Sequence, residues 1–368
     1  MTAPLPHRAE HVGSLLRPRA LKEAFRARAE GTMNDAVFRE VLESAIRDSI
    51  RMQEEVGLRS ITDGEFRRTA WSAGFVWALD GLEARDSLFE FRDESGDIVR
   101  WQTCFAARKI RRTRGITLDE FGFVRRCTDR DVKVTMPAPS FLHFFRGREC
   151  ADPRAYADLD EFWTDVVRIY RDEIADLSRA GARYIQLDEV PIAMLGDDTI
   201  RERVRALGED PARLLERYVS TVNRALDDRP VEMTVGMHLC RGNLRGHWMA
   251  SGSYEAVAER LFQEARVDAF FLEYDTERAG DFSPLRFMPK DKRVVLGLVS
   301  SKVPALETAD SLRRRLDAAS PYVSLDRLAI SPQCGFASTA GGNPLTAEDQ
   351  RAKLARVVEV AEAVWGTP

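Results

Sequence analysis

Cysteine is scarce in this chain. Five residues in 368, Cys104, Cys127, Cys150, Cys240 and Cys334, form no close pair and leave an odd count, which argues against a disulfide framework and leaves free thiols for metal. Long apolar runs are missing as well: none approaches the roughly 20 residues needed to span a bilayer. The opening MTAPLPHRAEHVGS has no apolar signal core. The expectation is a cytoplasmic protein without membrane contact. Neither sign of charge dominates, with Lys+Arg 55 against Asp+Glu 59 and a net charge of -4, so nothing points to a nucleic-acid partner. The Arg-rich stretch 108–114 sits among acids; a contact with an anionic substrate is its alternative reading. Low-complexity linkers, short repeats and a Gly-rich phosphate turn after an early strand are also lacking.

What is present is an alternation of strand-like and helix-like segments. Short apolar runs at 11–14, 60–63, 132–136, 184–187, 232–237, 269–272, 294–298 and 328–330 read as strands, and amphipathic stretches at 34–55, 159–180, 211–226, 254–265, 307–319 and 346–365 read as helices. In the last of these Thr346 with Asp349 three residues on makes a weak capping box. Eight strands alternating with helices predict an α/β fold, a (β/α)8 TIM barrel occupying 1–368 as one unit. A doubly wound open sheet is the alternative. Between the second and third strands, about 81–130 forms an insertion whose alternating DSLFEFRDESGDIVRWQTCFAARKI predicts a β-rich lid over the barrel mouth.

Ionisable groups gather where the predicted strands end: GS after the first, DGE after the second, DE after the fourth, HLC at the fifth, E after the sixth and QC after the eighth. Barrel active sites form at that end. His238 and Cys240, two apart on a strand, face the same side. With Glu273 and Cys334 they make a set of one imidazole, two thiolates and one carboxylate suited to Zn2+. A zinc ion can bind a further thiol and stabilise it as the nucleophilic thiolate, so alkyl transfer to sulfur is the leading chemistry. The plainer reading is two buried cysteines, a core histidine and a surface glutamate. Asp188 and Glu189 suit a substrate ammonium or acid–base work, against a helix cap with an acidic first turn. Glu65, after Gly64 and before Arg67 and Arg68, offers an amine partner or a structural ion pair. Gly13 and Ser14 offer N–H groups and a hydroxyl to a carboxylate. Cys104, Cys127 and Cys150 read as packing residues, and His11, His143 and His247 as packed or surface histidines.

Taken together, HVGSLLRP, ITDGEFRR, YIQLDEVP, MHLCRGN, FFLEYD and SPQCGFAS resemble the catalytic C-terminal barrel of the cobalamin-independent methionine synthase family, and its short single-barrel branch in particular. The resemblance implies zinc on His238, Cys240, Glu273 and Cys334, with homocysteine, or a related small thiol, held by Gly13, Ser14, Glu65 and Asp188. It also implies methyl transfer from 5-methyltetrahydrofolate to the homocysteine thiolate, giving methionine. Three departures open a substitute donor. This chain has no room for the additional N-terminal barrel of the full-length members. The family's histidine after the seventh strand is absent, with Ser300, Ser301 and Lys302 in GLVSSKVPA. Its pterin-packing tryptophan gives way to Phe144 or Phe145 in FLHFFRG. A thiol alkyltransferase with another acceptor or electrophile, similar to epoxyalkane:coenzyme M transferase, is the alternative function.

Overall fold

The computed structural model describes residues 6–92, 98–245 and 247–368. In chain order its strands are β1 (Ser60–Ile61), β2 (Leu79–Asp86), β3 (Phe91–Arg92), β4 (Ile98–Val99), β5 (Gln102–Arg112), β6 (Asp131–Pro137), β7 (Tyr184–Glu189), β8 (Thr234–Leu239), β9 (Ala269–Glu273), β10 (Arg293–Val299) and β11 (Leu328–Pro332). Seven of them pair in parallel in the order β1-β6-β7-β8-β9-β10-β11. Their near-continuous apolar runs, such as RVVLGLV and AFFLE, are those of strands covered on both faces.

The sheet curls, and the segment at 8–15 spans the gap between its edges. Ala9 bridges Ile330 of β11 in parallel, while on the other side Leu15 N–H donates to Gly64 O (3.0 Å) and Thr62 Oγ1 to Gly13 O (2.8 Å). The outcome is a TIM-barrel-like fold. Helices Asp35–Glu55, Leu118–Cys127, Leu159–Arg179, Pro211–Ala225, Glu255–Glu264, Ala309–Ala319 and Ala347–Trp365 are the longer ones that accompany the strands. Leu159–Arg179 shows the logic. The Asp158 carboxylate caps it by accepting from Asp160 N–H (2.9 Å), and Phe162, Val166, Ile169, Tyr170, Glu173 and Leu177 form its buried stripe. After β9 the crossover shrinks to a 3-10 turn, Ser283–Phe287.

Inside the barrel, Tyr184, Phe271, Val295 and Ala329 form an apolar cluster of their own. Beside it Lys133 Nζ bonds Glu10 Oε2 (2.8 Å) and lies 4.8 Å from the Phe271 ring centre. Ser60 Oγ and Tyr184 OH also donate to Glu10 (2.7 and 3.2 Å). This fills the N-terminal half with satisfied polar groups. Because side chains alternate along a strand, Tyr184 at that level puts Gln186 and then Asp188 on the same inner face. Glu189 points the other way.

Several boundaries differ from the sequence reading. The expected first strand at 11–14 is an extended segment whose only bridge lies earlier, at Ala9, because Gly13 takes φ +141° and Ser14 O accepts from Phe336 N–H instead of a strand neighbour. The second strand stops at Ile61: Thr62 N–H goes to Gln53 Oε1, and the chain turns through Gly64 and Glu65, both at positive φ. In the insertion, β2 and β5 form a long antiparallel hairpin and β3 and β4 a short one. The end of the stretch read as β-rich is helix Leu118–Cys127, which buries Phe121, Phe123 and Val124.

Candidate active site

β8 carries His238 on its inner face, and Cys240 follows just past the strand end, two residues on. β11 ends at Pro332, and Gln333 is pinned by accepting from Ser301 N–H and Oγ (2.7 and 2.8 Å), which sets down Cys334 beside the end of β8. The result is a buried group of His238, Cys240 and Cys334 whose ligand atoms lie within 4.8 Å of one another, with the two sulfurs 3.5 Å apart. Donors around a tetrahedral zinc stand about 3.5–3.8 Å from each other. Both ring nitrogens of His238 are buried without a hydrogen-bond partner, an arrangement that is costly unless something else occupies a nitrogen. The residues therefore fit a thiophilic divalent metal.

The electrostatics favour anionic sulfur. The hydrogen bond from Cys240 holds Cys334 well below the usual thiol range against the effect of burial, and the charges of His238 and Lys302 add to it. Cys240, which shares its proton with Cys334 in a buried site, is pushed well up. Burial works against a charged His238, yet Cys334, Asp188 and Glu273 together raise it.

Glu273 ends β9 and is buried beside this group, but its carboxylate is taken. Oε1 accepts from Lys302 Nζ (2.9 Å) and is 3.4 Å from Arg278, while Oε2 accepts from Arg241 N–H (3.0 Å). Burial opposes its charge, but Lys302 and Arg241 bring it down to about 2. Glu273 thus stands outside the three-donor group, paired with the lysine that follows β10.

Next to the donors lies a cavity of about 300 Å³. Ser14, Glu65 and Asp188 line it together with His238, Cys240 and Cys334. Glu65 is held in left-handed backbone at φ +60°, its N–H bonded to Asp63 Oδ1 (2.8 Å). Its Oε1 accepts from Thr135 Oγ1 (2.9 Å), and its Oε2 is buried and unpartnered. Asp188 Oδ1 accepts from Gln186 Nε2 (2.7 Å). Burial first, and the Glu65 carboxylate second, push Asp188 up to about 7, and burial likewise raises Glu65. Two buried acids sharing a wall call for a cation. Gly13 is not on that wall, but a Cβ there would come within 2.8 Å of Thr135 and 3.0 Å of Glu65 Oε1, so its bareness lets Glu65 approach.

The catalytic-domain model described as cobalamin-independent synthase matches residues 9–363. The chain belongs to this family. It is a methionine synthase-like methyltransferase, and other members resemble it over almost their full length. The uncharacterized protein YxjH of Bacillus subtilis is 42% identical over 98% of this chain and 95% of its own. A methionine synthase of Pyrococcus abyssi is 26% identical over 96% and 90%. Among solved structures, a Listeria monocytogenes protein assigned by name as a vitamin-B12-independent methionine synthase superposes with a TM-score of 0.77 at 32% identity. That match covers 99% of this chain and all of the other.

Other predicted residues fall elsewhere. Glu189 caps the short helix Pro191–Met194 by accepting from Ile192 N–H (2.9 Å) and is bonded by Ser140 Oγ. His11 and His143 are buried against Ser60 O and Tyr218 OH. His247 Nδ1 lies 3.0 Å from Leu244 O. Arg111 and Arg112 pair with Asp80, Glu173 and Asp176. Phe145 lines the cavity, whereas Phe144 stacks on Phe89 (4.8 Å). Cys104, read as a packing residue, is part of the cavity wall. Sequence reasoning missed the tryptophans: Trp71 and Trp77, just after DGEFRR, and Trp101 at the foot of β5. Their nearness to a singled-out motif and to the lid was the available signal.

Proposed function

We propose that this family member transfers a methyl group to the thiol of homocysteine, giving methionine, and that its metal is zinc. The observation that carries the reading is the convergence of His238, Cys240 and Cys334 on one cavity wall with Glu65 and Asp188 on the same cavity. A thiol needs a soft metal and an amino acid needs anions for its ammonium, and both stand within one small space. When bound, zinc supplies a Lewis acid that lowers the pKa of a thiol to below neutrality.

The protein's own residues do the rest. His238, Cys240 and Cys334 would hold the metal, and Glu273, held beside them by Lys302, would be available as a further donor. Glu65 and Asp188 bind the ammonium, and Asp188, raised to about 7, ionises fully when that charge arrives. The Ser14 hydroxyl and the backbone beside Gly13 meet the carboxylate. The aromatic wall that includes Trp101 excludes water from the sulfur. The methyl donor is 5-methyltetrahydrofolate or a substitute, the whole chain acts as one barrel unit with its lid, and its setting is the cytoplasm.

Cys334→Ser is expected to lose stoichiometric zinc and methionine formation together, read by metal analysis and a homocysteine methylation assay. Full activity in metal-free protein would defeat the mechanism. Asp188→Ala should lose homocysteine affinity; indifference there would favour an acceptor without an ammonium group.

A further inference from the structure

Much of the cavity wall is built of rings. Trp71, Trp77, Phe91, Trp101, Phe141 and Phe145 line it, brought in by the loop after β1, by the insertion and by the segment after β6. They hold each other: Trp71 and Phe141 meet edge-on at 5.1 Å, and Trp101 meets Phe145 at 4.7 Å. Among the described residues no lysine or arginine lines the cavity. Elsewhere the chain covers its aromatic rings with its own cations, as Arg241 does Tyr254 (4.1 Å) and Arg85 does Phe105 (3.5 Å). Among the described residues none of these six rings is so covered. Ring surface faces the cavity, in a space where, among the described residues, the ionisable groups outside the metal site are two carboxylates and Cys104.

We propose that the methyl donor is a small methyl-onium cation, a methylsulfonium or a quaternary methylammonium, seated against this aromatic wall. The proposal rests on the homocysteine reading above and narrows its donor. Ring faces attract an onium charge, most strongly when water is excluded. Among the described residues, a donor carrying several carboxylates would find no lysine or arginine on these walls.

The chemistry balances for this donor. The thiol proton leaves to solvent before attack. The sulfur lone pair then forms the new S–CH3 bond while the methyl–onium bond breaks. Its electron pair stays on the departing sulfur or nitrogen, which leaves as a neutral thioether or tertiary amine. Nothing is oxidised, and the leaving group needs no proton. That suits a cavity whose lining, among the described residues and apart from the carboxylates and the metal site, offers as an ionisable group the Cys104 thiol, pushed by burial up to about 12. An anion and a cation annihilate charge as they react, so apolar surroundings favour the transition state over the separated ions.

The test uses zinc-loaded protein with homocysteine present, so that the carboxylates are occupied, and titrates tetramethylammonium against the neutral tert-butanol by calorimetry. The cation is expected to bind saturably and at least about 10-fold more tightly. Trp101→Leu and, independently, Trp71→Leu should each weaken it about 3- to 30-fold, while Trp101→Phe weakens it less. Trimethylsulfonium should then support methionine formation. Equal binding of cation and neutral compound, or turnover with methyltetrahydrofolate while onium donors are inert, overturns the proposal. Homocysteine binding without any donor is measured separately. Its absence defeats the preceding reading, and the tetramethylammonium titration still decides the cation subsite.

Discussion

Glu65 concentrates the demands of the site on one residue. It is not a glycine, yet it sits at φ +60° after Gly64 at +68°, a conformation that costs an ordinary residue about 1–2 kcal/mol. Its carboxylate is buried, with Arg68 3.7 Å from Oε1 and Oε2 unpartnered, and burial still raises its pKa against the Arg68 charge. Function, not stability, explains such a residue. Glu65→Gln is therefore expected to leave Tm at pH 8 unchanged or higher, because the cost of burying its charge outweighs the help of the Arg68 charge 3.7 Å away. It should weaken homocysteine about 10- to 100-fold through the lost charge-assisted hydrogen bond. Thermal melts and a binding titration on one preparation check both halves. Gly13→Ala is the complementary case. A methyl 2.8 Å from Thr135 and 3.0 Å from Glu65 Oε1, on backbone at φ +141°, should cost about 2–4 kcal/mol in denaturant unfolding. Wild-type stability would show that the segment relaxes freely.

At the scale of elements, the end of β9 and the loop after β10 are coupled through Glu273 and Lys302. Their pair is buried, 2.9 Å apart, and a buried pair that loses one member leaves an uncompensated charge. Lys302→Met should accordingly destabilise the metal-free protein by about 3 kcal/mol. On the proposed reading zinc would offer Glu273 an alternative partner, so the zinc-induced rise in Tm should be larger in the variant than in the wild type. An equal rise in both would remove Glu273 from the ligand set. The β2–β5 hairpin has a different task. It carries Trp101, Gln102, Thr103 and Cys104 to the cavity wall while Arg108, Arg111 and Arg112 pair with Asp80, Glu173 and Asp176 and Arg85 covers Phe105. It therefore acts as an apolar cover rather than a basic clamp.

Across the whole molecule, the balance of buried acids sets how stability follows pH. Burial raises Glu189 to about 7, and burial with Glu65 raises Asp188 to about 7, against ordinary values near 4. Between roughly pH 4 and 7 the folded state then holds protons that the unfolded chain has released, so stability falls as pH rises through this window. Glu10 acts in the opposite sense. Burial opposes its charge but Lys133 and His7 lower its pKa, so its contribution is present above its unfolded value and is lost as pH falls through the folded one. The ligand-free protein is expected to melt higher at pH 6 than at pH 8, and Glu189→Gln should flatten that slope without touching the metal. A flat wild-type profile between pH 6 and 8 would refute the shifted carboxyls.

The sequence by itself determined the alternating architecture and which ionisable residues stand near the strand ends. Runs such as YIQL and RVVLGLV read as strands buried on both faces, and residues at alternate positions of such a run share one face. That is why His238, Cys240, Cys334, Asp188 and Glu65 could be named from short motifs. Tertiary structure decided what their neighbours are. Glu273 lies beside the donors but is claimed by Lys302, 29 residues later. Glu189, next to Asp188, turns outward to cap a helix. The residues at 11–14 left the ladder because Gly13 and Ser14 serve Glu65 and Phe336 instead of a strand partner. The aromatic wall is assembled from the loop after β1, the insertion and the segment after β6. Each piece alone reads as ordinary packing. Local spacing fixes which way a side chain points, but which charge or ring it meets is set by contacts across the chain, and no periodicity records those.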